Sequence, residues 1–357
     1  MSDYHLEKLG EENSELWDAL NTISPDGSLY HSLKWKKIAE QRSGVPLQYY
    51  LLFKNEEVVG LFPLQEHTIY GFRGLVPAGD PLTLHAVLRD YHDPFVMWQV
   101  IEEFRSVHRD WSKISFVCLA SLRSELFQST TSYPVFPYPF SHFEGEGEMV
   151  LDLVKTPPDA IWNSFSNRKG QRKYIRRFET DGFGITDVRS EDELRLFYTY
   201  YEENMCRIGG NHLSFSYFLE LLRSMPDQVR ITLLSKGPLV AGGAFNLLDP
   251  VRRRVHGVFL SLNRDLPTKY SPSYYLYWDS IRWAWENGYR QYTLGREYAH
   301  EMVESNPRYR LKRDFGAEFE PVHSRLVPMT TIFSIGARVK YLQAQRLTPR
   351  DAGRASM

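Results

Sequence analysis

Apolar and polar residues follow the same pattern in two stretches of the chain. A shift of 182 positions, from 32 to 214, places Ser32–Leu64 on Ser214–Asn246 without a gap. Each stretch has a serine that can cap a helix, then apolar residues at helical spacing, then two predicted strands around a polar turn. Six residues are identical, and Ser32, Leu51, Leu52, Lys54, Val58 and Gly60 fall on Ser214, Leu233, Leu234, Lys236, Val240 and Gly242.

The likeness continues further along both stretches. Each has an amphipathic helix that leads through a short polar turn into an apolar strand. The matching residues are Trp98 and Ile101 in the first copy and Trp278 and Ile281 in the second, followed by strands at Ile114–Leu119 and Tyr289–Leu294. The order helix, strand, strand, third strand, helix, strand therefore predicts a duplicated α/β domain.

These repeats predict three parts of the chain. Residues 1–155 form an N-terminal domain, residues 156–330 a C-terminal domain, and residues 331–357 a C-terminal helix with a disordered tail. The proline- and glycine-rich stretch Tyr133–Gly147 is typical of a loop, and the boundary is expected near Thr156.

Composition limits the class of protein. The net charge is −1, which argues against a basic nucleic-acid surface over the whole molecule and hence against a DNA partner. The two cysteines are far apart and fit neither a disulfide framework nor a metal site, so we expect no metal and a cytoplasmic location. The N-terminus has no signal-peptide pattern, and no apolar run is long enough to span a membrane. Aromatic residues reach 14%, which indicates aromatic cores or a groove for a sugar, base or acyl chain.

The first segment with candidate chemistry runs from Trp162 to Phe178. It carries six cations within ten residues, and Arg172 and Arg176 share one helix face. Together with Arg177, these residues are candidates to bind a phosphate or carboxylate. A solvated basic surface is the competing interpretation.

The second segment, Asn263–Trp278, reads as a loop followed by a helix N-terminus. Ser271 or Ser273 can cap this helix, whose free backbone N–H groups attract anions. Tyr274 and Tyr275 are candidates to stack on a substrate, or they pack in the core.

The third segment contains the candidate catalytic residues. A strand is predicted to end at Leu294, where a glycine turn places Arg296 and Glu297 at its carboxyl end. Lys312 and Arg313 are expected to project from a following helix or turn. Structural ion pairing is the alternative for Arg296, Glu297 and Arg313.

These three segments, in this order, resemble the FemABX-like and CelD/BcsL-like acyltransferase superfamily, which carries tandem GNAT (acyl-CoA N-acyltransferase) domains. The matching motifs are the basic helix Arg172–Arg177, the Pro272–Gly288 helix and the run Leu311–Glu318. The resemblance implies an α/β fold with two GNAT-like domains, each a mixed sheet flanked by helices. It also implies that Lys312 is functional.

The sequence departs from the pattern of these relatives at several places. Thr293 stands where the superfamily often has Asp, and Leu311 replaces an aromatic residue. The glycine-rich pyrophosphate loop of simple acetyl-CoA enzymes is replaced by Leu266–Ser273, which has no glycine. This weakens an acyl-CoA donor, and relatives that use aminoacyl-tRNA share the lack.

The resemblance implies an acyltransferase without a permanent cofactor. An acyl or aminoacyl group would move from acyl-CoA or aminoacyl-tRNA to an amine of a cell-envelope, polysaccharide or small-molecule acceptor. Lys312 would stabilise the oxyanion, or a phosphate, and Glu297 would accept the amine proton. Arg172, Arg176 and Arg177 would hold an anion, and Tyr275 the acceptor.

The first copy lacks the basic helix and the Lys-Arg motif, so we expect it to be non-catalytic. We also expect a monomer, with peripheral membrane contact left open. Two alternatives are an inert binding or scaffold protein and a polysaccharide O-acyltransferase.

Overall fold

The computed structural model of the protein describes most of the chain. The described residues are 3–69, 71–78, 85–89, 91–93, 96–107, 114–124, 143–165, 170–210, 212–330, 332–333 and 335. They form two compact units. Unit 1 contains Met1–Leu33, Gly44–Glu144 and Val322–Met357, and unit 2 contains Lys34–Ser43 and Gly145–Pro321. The predicted C-terminal helix and tail lie almost entirely outside the described residues.

The chain contains both helices and strands, often as runs of consecutive strands. The strands and helices up to the middle of the chain are β1 (Tyr4–Lys8), α1 (Ser14–Ile23), α2 (Leu33–Ser43), β2 (Leu47–Lys54), β3 (Glu57–Ile69), β4 (Phe72–Pro77), β5 (Val87–Leu88), α3 (Val96–Val107), β6 (Phe116–Ser121) and β7 (Phe143–Asp152). They are followed by α4 (Pro158–Ser164), α5 (Gln171–Thr180), β8 (Gly184–Asp187), α6 (Glu191–Arg207), α7 (Phe215–Ser224), β9 (Val229–Lys236), β10 (Leu239–Asp249), β11 (Arg254–Leu262), α8 (Pro272–Glu286), β12 (Gln291–Tyr298), α9 (Pro307–Asp314) and β13 (Glu318–Pro328). Within the described residues, no helix is long and apolar enough to cross a membrane.

The two units arrange their strands in the same order. In unit 1 the order is β1, β2, β3, β4, β6 and then β13. In unit 2 the order is β8, β9, β10, β11, β12 and then β7. Each sheet is antiparallel except for one parallel pair, β4 with β6 and β11 with β12. In both units a strand distant in sequence completes the sheet beside the last strand of the repeat.

The internal repeat extends to a β-bulge in each hairpin. In unit 1 the register of β2 and β3 shifts between Leu52 and Phe53, which oppose Gly60 and Val58. In unit 2 the register of β9 and β10 shifts at the matching place, where Val240 and Gly242 oppose Ser235 and Leu234. A bulge inserts one extra residue and bends the strand locally. Because the bulge lies at the same position in both copies, the two hairpins share this backbone geometry.

The capping serine of the second copy is confirmed. Ser214 precedes α7, and its hydroxyl accepts a hydrogen bond from the backbone N–H of Tyr217. This bond satisfies one of the amide donors that a helix leaves free in its first turn.

The predicted loop Tyr133–Gly147 is wrong over its last five residues. Phe143–Gly147 belong to β7, which pairs antiparallel with β12. Gly147 is required there because a Cβ atom would lie 2.4 Å from the backbone oxygen of Glu320. Residues 125–142 lie outside the described part of the chain. The predicted domain boundary at 155/156 stays a prediction.

Aromatic residues are concentrated in the core of unit 2. Ring contacts join Phe165 to Trp278 and Phe315, and Phe178 to Phe183 and Tyr275. These rings belong to one buried cluster with α8, which packs on the sheet, and burial of their apolar surface stabilises this part of the fold.

Candidate functional site

A bulge in β12 organises the candidate site. The strand was predicted to end at Leu294, but it continues to Tyr298, so the predicted glycine turn is wrong. Gly295 instead has a φ of 77°, and the pairing of β12 with β7 shifts register between Thr293 and Arg296. The pairing of β12 with β11 ends at Thr293, which opposes His256. The bulge therefore lies just beyond the point where these two parallel strands stop pairing.

A buried ion pair lies directly at this bulge. The Lys312 ammonium is 3.1 Å from Glu297 Oε2, and the two side chains are 5% and 0% exposed. Lys312 also donates to the backbone oxygens of Gly295, at 3.3 Å, and of Arg296. The bulge exposes these two carbonyls to the ammonium, so the backbone geometry and the ion pair depend on each other.

Arg308 completes a small charge network around Glu297. Its guanidinium donates to Glu297 Oε1 at 2.8 Å and also to the carboxylate of Glu301. Arg308 and Lys312 are four residues apart, so both project from the same face of α9. Arg308 is half-exposed, which leaves Lys312 as the buried partner of Glu297.

The network controls the protonation of both partners. Burial acts to raise the pKa of Glu297, but the Arg308 hydrogen bond and the Lys312 charge outweigh it and hold this pKa below its usual value. Burial lowers the pKa of Lys312, and the neighbouring Glu297 carboxylate only partly offsets this effect. At neutral pH the arrangement holds a fixed carboxylate beside an ammonium that is easier to deprotonate than an ordinary lysine.

The other two candidates of this segment make separate ion pairs. Arg296 lies 3.7 Å from Glu146 Oε2 and donates to the Tyr298 hydroxyl at 3.2 Å. Arg313 pairs with Glu304. The structure thus brings Lys312 and Glu297 together but joins Arg296 and Arg313 to other partners.

The two candidate tyrosines differ in environment. Tyr274 is partly exposed, donates to Asp314 Oδ2 at 3.0 Å and stacks on Tyr174 at 5.9 Å between ring centroids. Burial, reinforced by the Asp314 charge, raises its pKa. Tyr275 is 8% exposed and contacts Phe178, so the packing role considered for it from sequence is present.

The basic helix α5 forms a shallow groove of about 460 Å³. Its lining residues are Gly170, Arg172, Lys173, Arg176, Arg177, Thr180 and Asp181. The predicted common face of Arg172 and Arg176 is confirmed, since both guanidinium groups lie over the Trp162 ring, at 5.8 and 5.3 Å. Arg168 and Lys169, the other two cations of the segment, lie outside the described residues.

Several residues of the site were missed from sequence. Arg308 belongs to no recognised motif. Its spacing of four residues from Lys312 could have indicated that the two side chains share one helix face. Gln171 and Asp314 were also missed, and the Gln171 amide donates to Asp314 Oδ2 at 2.9 Å. Thr293 is buried at the point where the strands stop pairing, and its hydroxyl has no hydrogen-bond partner within the described residues.

The second half of the chain matches a known domain family. Residues 166–309 match the model of the acetyltransferase (GNAT) domain family. No curated protein sequence matches. The crystal structure of FemX is 12% identical and superposes with a TM-score of 0.67 over 92% of this chain and 99% of its own.

Two further solved structures are similar. The C-terminal domain of a putative lysylphosphatidylglycerol synthetase from Agrobacterium fabrum is 11% identical, with a TM-score of 0.54 over 92% of this chain and 94% of its own. A tandem GNAT protein from the clavulanic acid biosynthesis pathway is 12% identical, with a TM-score of 0.53 over 92% and 99%. At these identities the likeness shows the fold. It confirms the predicted α/β fold with two tandem GNAT-like domains.

Proposed function

Because residues 166–309 match the GNAT acetyltransferase domain family, we propose that this protein transfers an acyl or aminoacyl group to an amine. The observation that carries the proposal is the buried Lys312–Glu297 pair at the Gly295 bulge. A charged pair held away from water at the end of paired strands is costly to maintain, and such pairs concentrate at functional sites.

The reaction is attack of a neutral amine on the carbonyl carbon of a thioester or an aminoacyl ester. The new N–C bond forms as negative charge develops on the carbonyl oxygen, and the Lys312 ammonium supplies the opposing charge. Its orientation is fixed in advance because the carbonyls of Gly295 and Arg296 hold it. The C–S or C–O bond of the donor then breaks.

Glu297 moves the proton in this scheme. The attacking nitrogen loses a proton to the Glu297 carboxylate, and the same proton passes to the departing sulfur or oxygen. The reaction therefore needs no net proton. The low pKa of Glu297 makes it a weak acceptor, which suits a group that must release the proton again within one turnover.

The remaining candidates are assigned to substrate binding. Tyr274, partly exposed and held by Asp314, is proposed to contact the acceptor, and Tyr275 to support it through packing. Arg296 and Arg313 are proposed to contact charged substrate groups. Arg172, Arg176 and Arg177 belong to the α5 groove, which is proposed to bind an anionic part of a substrate.

The donor is proposed to be acyl-CoA or aminoacyl-tRNA. The structure of the tandem GNAT protein from the clavulanic acid pathway is described as a form without AcCoA. This mention of AcCoA favours a CoA thioester as the donor. The Agrobacterium protein is a putative lysylphosphatidylglycerol synthetase, which favours an aminoacyl group. The acceptor is proposed to be an amine of an envelope precursor, a polysaccharide or a small molecule. The N-terminal domain, residues 1–155, is proposed to be non-catalytic and the protein to act as a cytoplasmic monomer.

The test is a transfer assay with Lys312→Met and Glu297→Gln. Wild-type protein is incubated with acyl-CoA or aminoacyl-tRNA and an amine panel, and products are identified by mass spectrometry. We expect both variants to lose transfer while retaining their circular dichroism spectrum. Lys155→Met is the control, because Lys155 is 77% exposed and makes only a 3.7 Å surface pair with Asp152. Full activity in both site variants, or no transfer by the wild type with either donor, would contradict the proposal.

A further inference from the structure

The loop between β11 and α8 is anchored to α5. Arg177 donates to the backbone oxygen of Lys269 at 2.6 Å, and the Tyr270 hydroxyl bonds the Asp181 carboxylate. Lys269 itself lies 3.5 Å from the same carboxylate. The loop turns a carbonyl toward the α5 groove and contains no glycine, so its own backbone is poorly suited to surround an anion.

The α5 groove contains cationic side chains that are suited to bind an anion. Elsewhere in unit 2, surface arginines pair with an acid one helical turn away, as Arg195 does with Glu191 and Arg282 with Glu286. Within the described part of the chain, Lys173 and Arg176 have no carboxylate within 4 Å. A helix face evolved only for solubility would be expected to interleave both signs of charge.

Two arginines of the groove contact neutral groups of α4. Arg172 donates to the carbonyls of Trp162 and Asn163, at 2.9 and 3.0 Å, and so binds the C-terminal end of α4. The Trp162 ring, over which Arg176 lies, packs in turn on Trp278 at 5.2 Å. Stacking on an aromatic face orients a guanidinium while leaving its N–H groups available, which is the arrangement that favours phosphate binding.

The start of α5, beside the groove, contacts the helix that carries Lys312. Gln171, in the first turn of α5, and Tyr274, in the first turn of α8, both donate to Asp314. Asp314 follows Lys312 by two residues on α9. The groove therefore starts at the point where α5, α8 and the end of α9 meet.

We propose that the α5 groove binds the phosphate groups of the acyl donor, with Lys173 and Arg176 as direct contacts and Arg172, Arg177 and Trp162 as positioning residues. This inference rests on the proposed acyl transfer and deepens it. The shared chemistry is a phosphodiester or diphosphate, which occurs in CoA and in the acceptor end of tRNA. The β11–α8 loop has no glycine, so its backbone is poorly suited to bind the phosphates. The cationic side chains of α5 are proposed to bind them instead.

The test measures binding rather than turnover. Full-length protein is titrated with CoA, with a short RNA hairpin that ends in CCA, and with pantetheine, which lacks the phosphates of CoA. We expect at least one phosphate-bearing probe to bind, with affinity that falls as salt increases, and pantetheine to bind weakly.

The matched variants remove two positive charges each. Lys173→Gln with Arg176→Gln is expected to weaken binding of the phosphate-bearing probe about 10- to 100-fold and to leave pantetheine unaffected. Arg195→Gln with Arg282→Gln removes the same net charge from surface ion pairs and is expected to change binding less than about 2-fold. Which probe responds identifies the source of the phosphate.

Three results would overturn the inference. They are equal losses in the groove and control variants, unchanged binding in the groove variant, and no binding of either phosphate-bearing probe to the wild type. Failure of the proposed function looks different. A protein that binds a probe through the groove but transfers no acyl group would refute the acyl transfer and leave the phosphate site standing.

Discussion

The two units share a scaffold but use their buried polar groups differently. In unit 1, Arg123 makes a two-pronged ion pair with Asp26, at 2.7 and 3.0 Å, and His31 bonds the backbone oxygen of His85 at 2.7 Å. His85 bonds the backbone oxygen of Asp26 at 2.9 Å. These contacts join residues 54 to 97 positions apart and hold loops of the unit together.

In unit 2 a buried ion pair joins the last strand of the repeat to the helix that follows it. Glu297 is on β12 and Lys312 on α9, so their pair joins residues only 15 positions apart. The comparison teaches that duplication preserved the strand order and the hairpin bulge, while candidate chemistry arose from segments flanking the repeated hairpin, α5 and α9. Three contrasts between the units and one pH dependence within unit 2 test this division, and the largest expected effect comes first.

The largest contrast is in activity. Lys312→Met removes the charge at the bulge and is expected to reduce the rate of acyl transfer at least about 100-fold. Arg123→Met breaks the Asp26 pair of unit 1 and is expected to change the rate per folded molecule less than about 2-fold. Steady-state transfer rates, normalised by circular dichroism, measure both. Similar losses in the two variants would remove the distinction between a reacting unit and a supporting one.

The second contrast is in stability. Lys312→Met leaves Glu297 buried beside only one remaining cation, so we expect it to lower the free energy of unfolding by about 3 kcal/mol. Arg123 is 35% exposed, and Arg123→Met is expected to cost about 1–2 kcal/mol because water reaches Asp26 more easily. Urea unfolding followed by tryptophan fluorescence gives both values. A larger cost at Arg123 would contradict this ranking.

The third contrast uses the matching glycines of the two bulges. A Cβ on Gly242 would lie 2.4 Å from the backbone oxygen of Ser261, whereas one on Gly60 would meet the Leu88 side chain at 2.7 Å. A side chain can rotate away but a paired strand cannot. We therefore expect Gly242→Ala to cost about 3 kcal/mol and Gly60→Ala about 1 kcal/mol in urea unfolding. Equal costs would show that the two bulges tolerate a methyl group alike.

The last effect is a pH dependence of stability that unit 2 contributes. Burial, aided by the Arg254 charge, holds the pKa of His256 well below 6.5. The unfolded chain binds this proton below pH 6.5 and the folded chain does not, so stability falls as the pH drops, by up to about 1.4 kcal/mol per pH unit. His256→Gln should flatten the stability profile between pH 6.5 and 5. An unchanged slope would show that His256 is protonated in the folded protein.

Local patterns predicted much of this molecule correctly. The Ser214 cap, the β9–β10 hairpin and the helix that carries Trp278 follow from periodicity and capping within one short segment. Local patterns did not predict that Phe143–Gly147 form a strand. The strand β12, with which they pair, lies about 150 residues away, and their glycines are typical of a loop.

The candidate site was partly predictable for the same reason. Lys312 and Glu297 were both selected from sequence, but their pairing depends on the Gly295 bulge, which only the pairing of β12 with β7 reveals. The sequence also did not predict that Arg172 binds the end of α4. An arginine that donates to backbone carbonyls has the same sequence pattern as one that binds an anion.

The most direct test of the proposed chemistry is a single-turnover measurement with Glu297→Gln. This substitution keeps the size of the side chain but removes the proton acceptor. Donor is first bound to saturation, amine is then added in a rapid mixer, and quenched samples are analysed by mass spectrometry. We expect unchanged donor affinity and transfer at least about 100-fold slower than in the wild type. Transfer at the wild-type rate would contradict the proposed role of Glu297 and would leave the Lys312–Glu297 pair as a structural feature of the bulge.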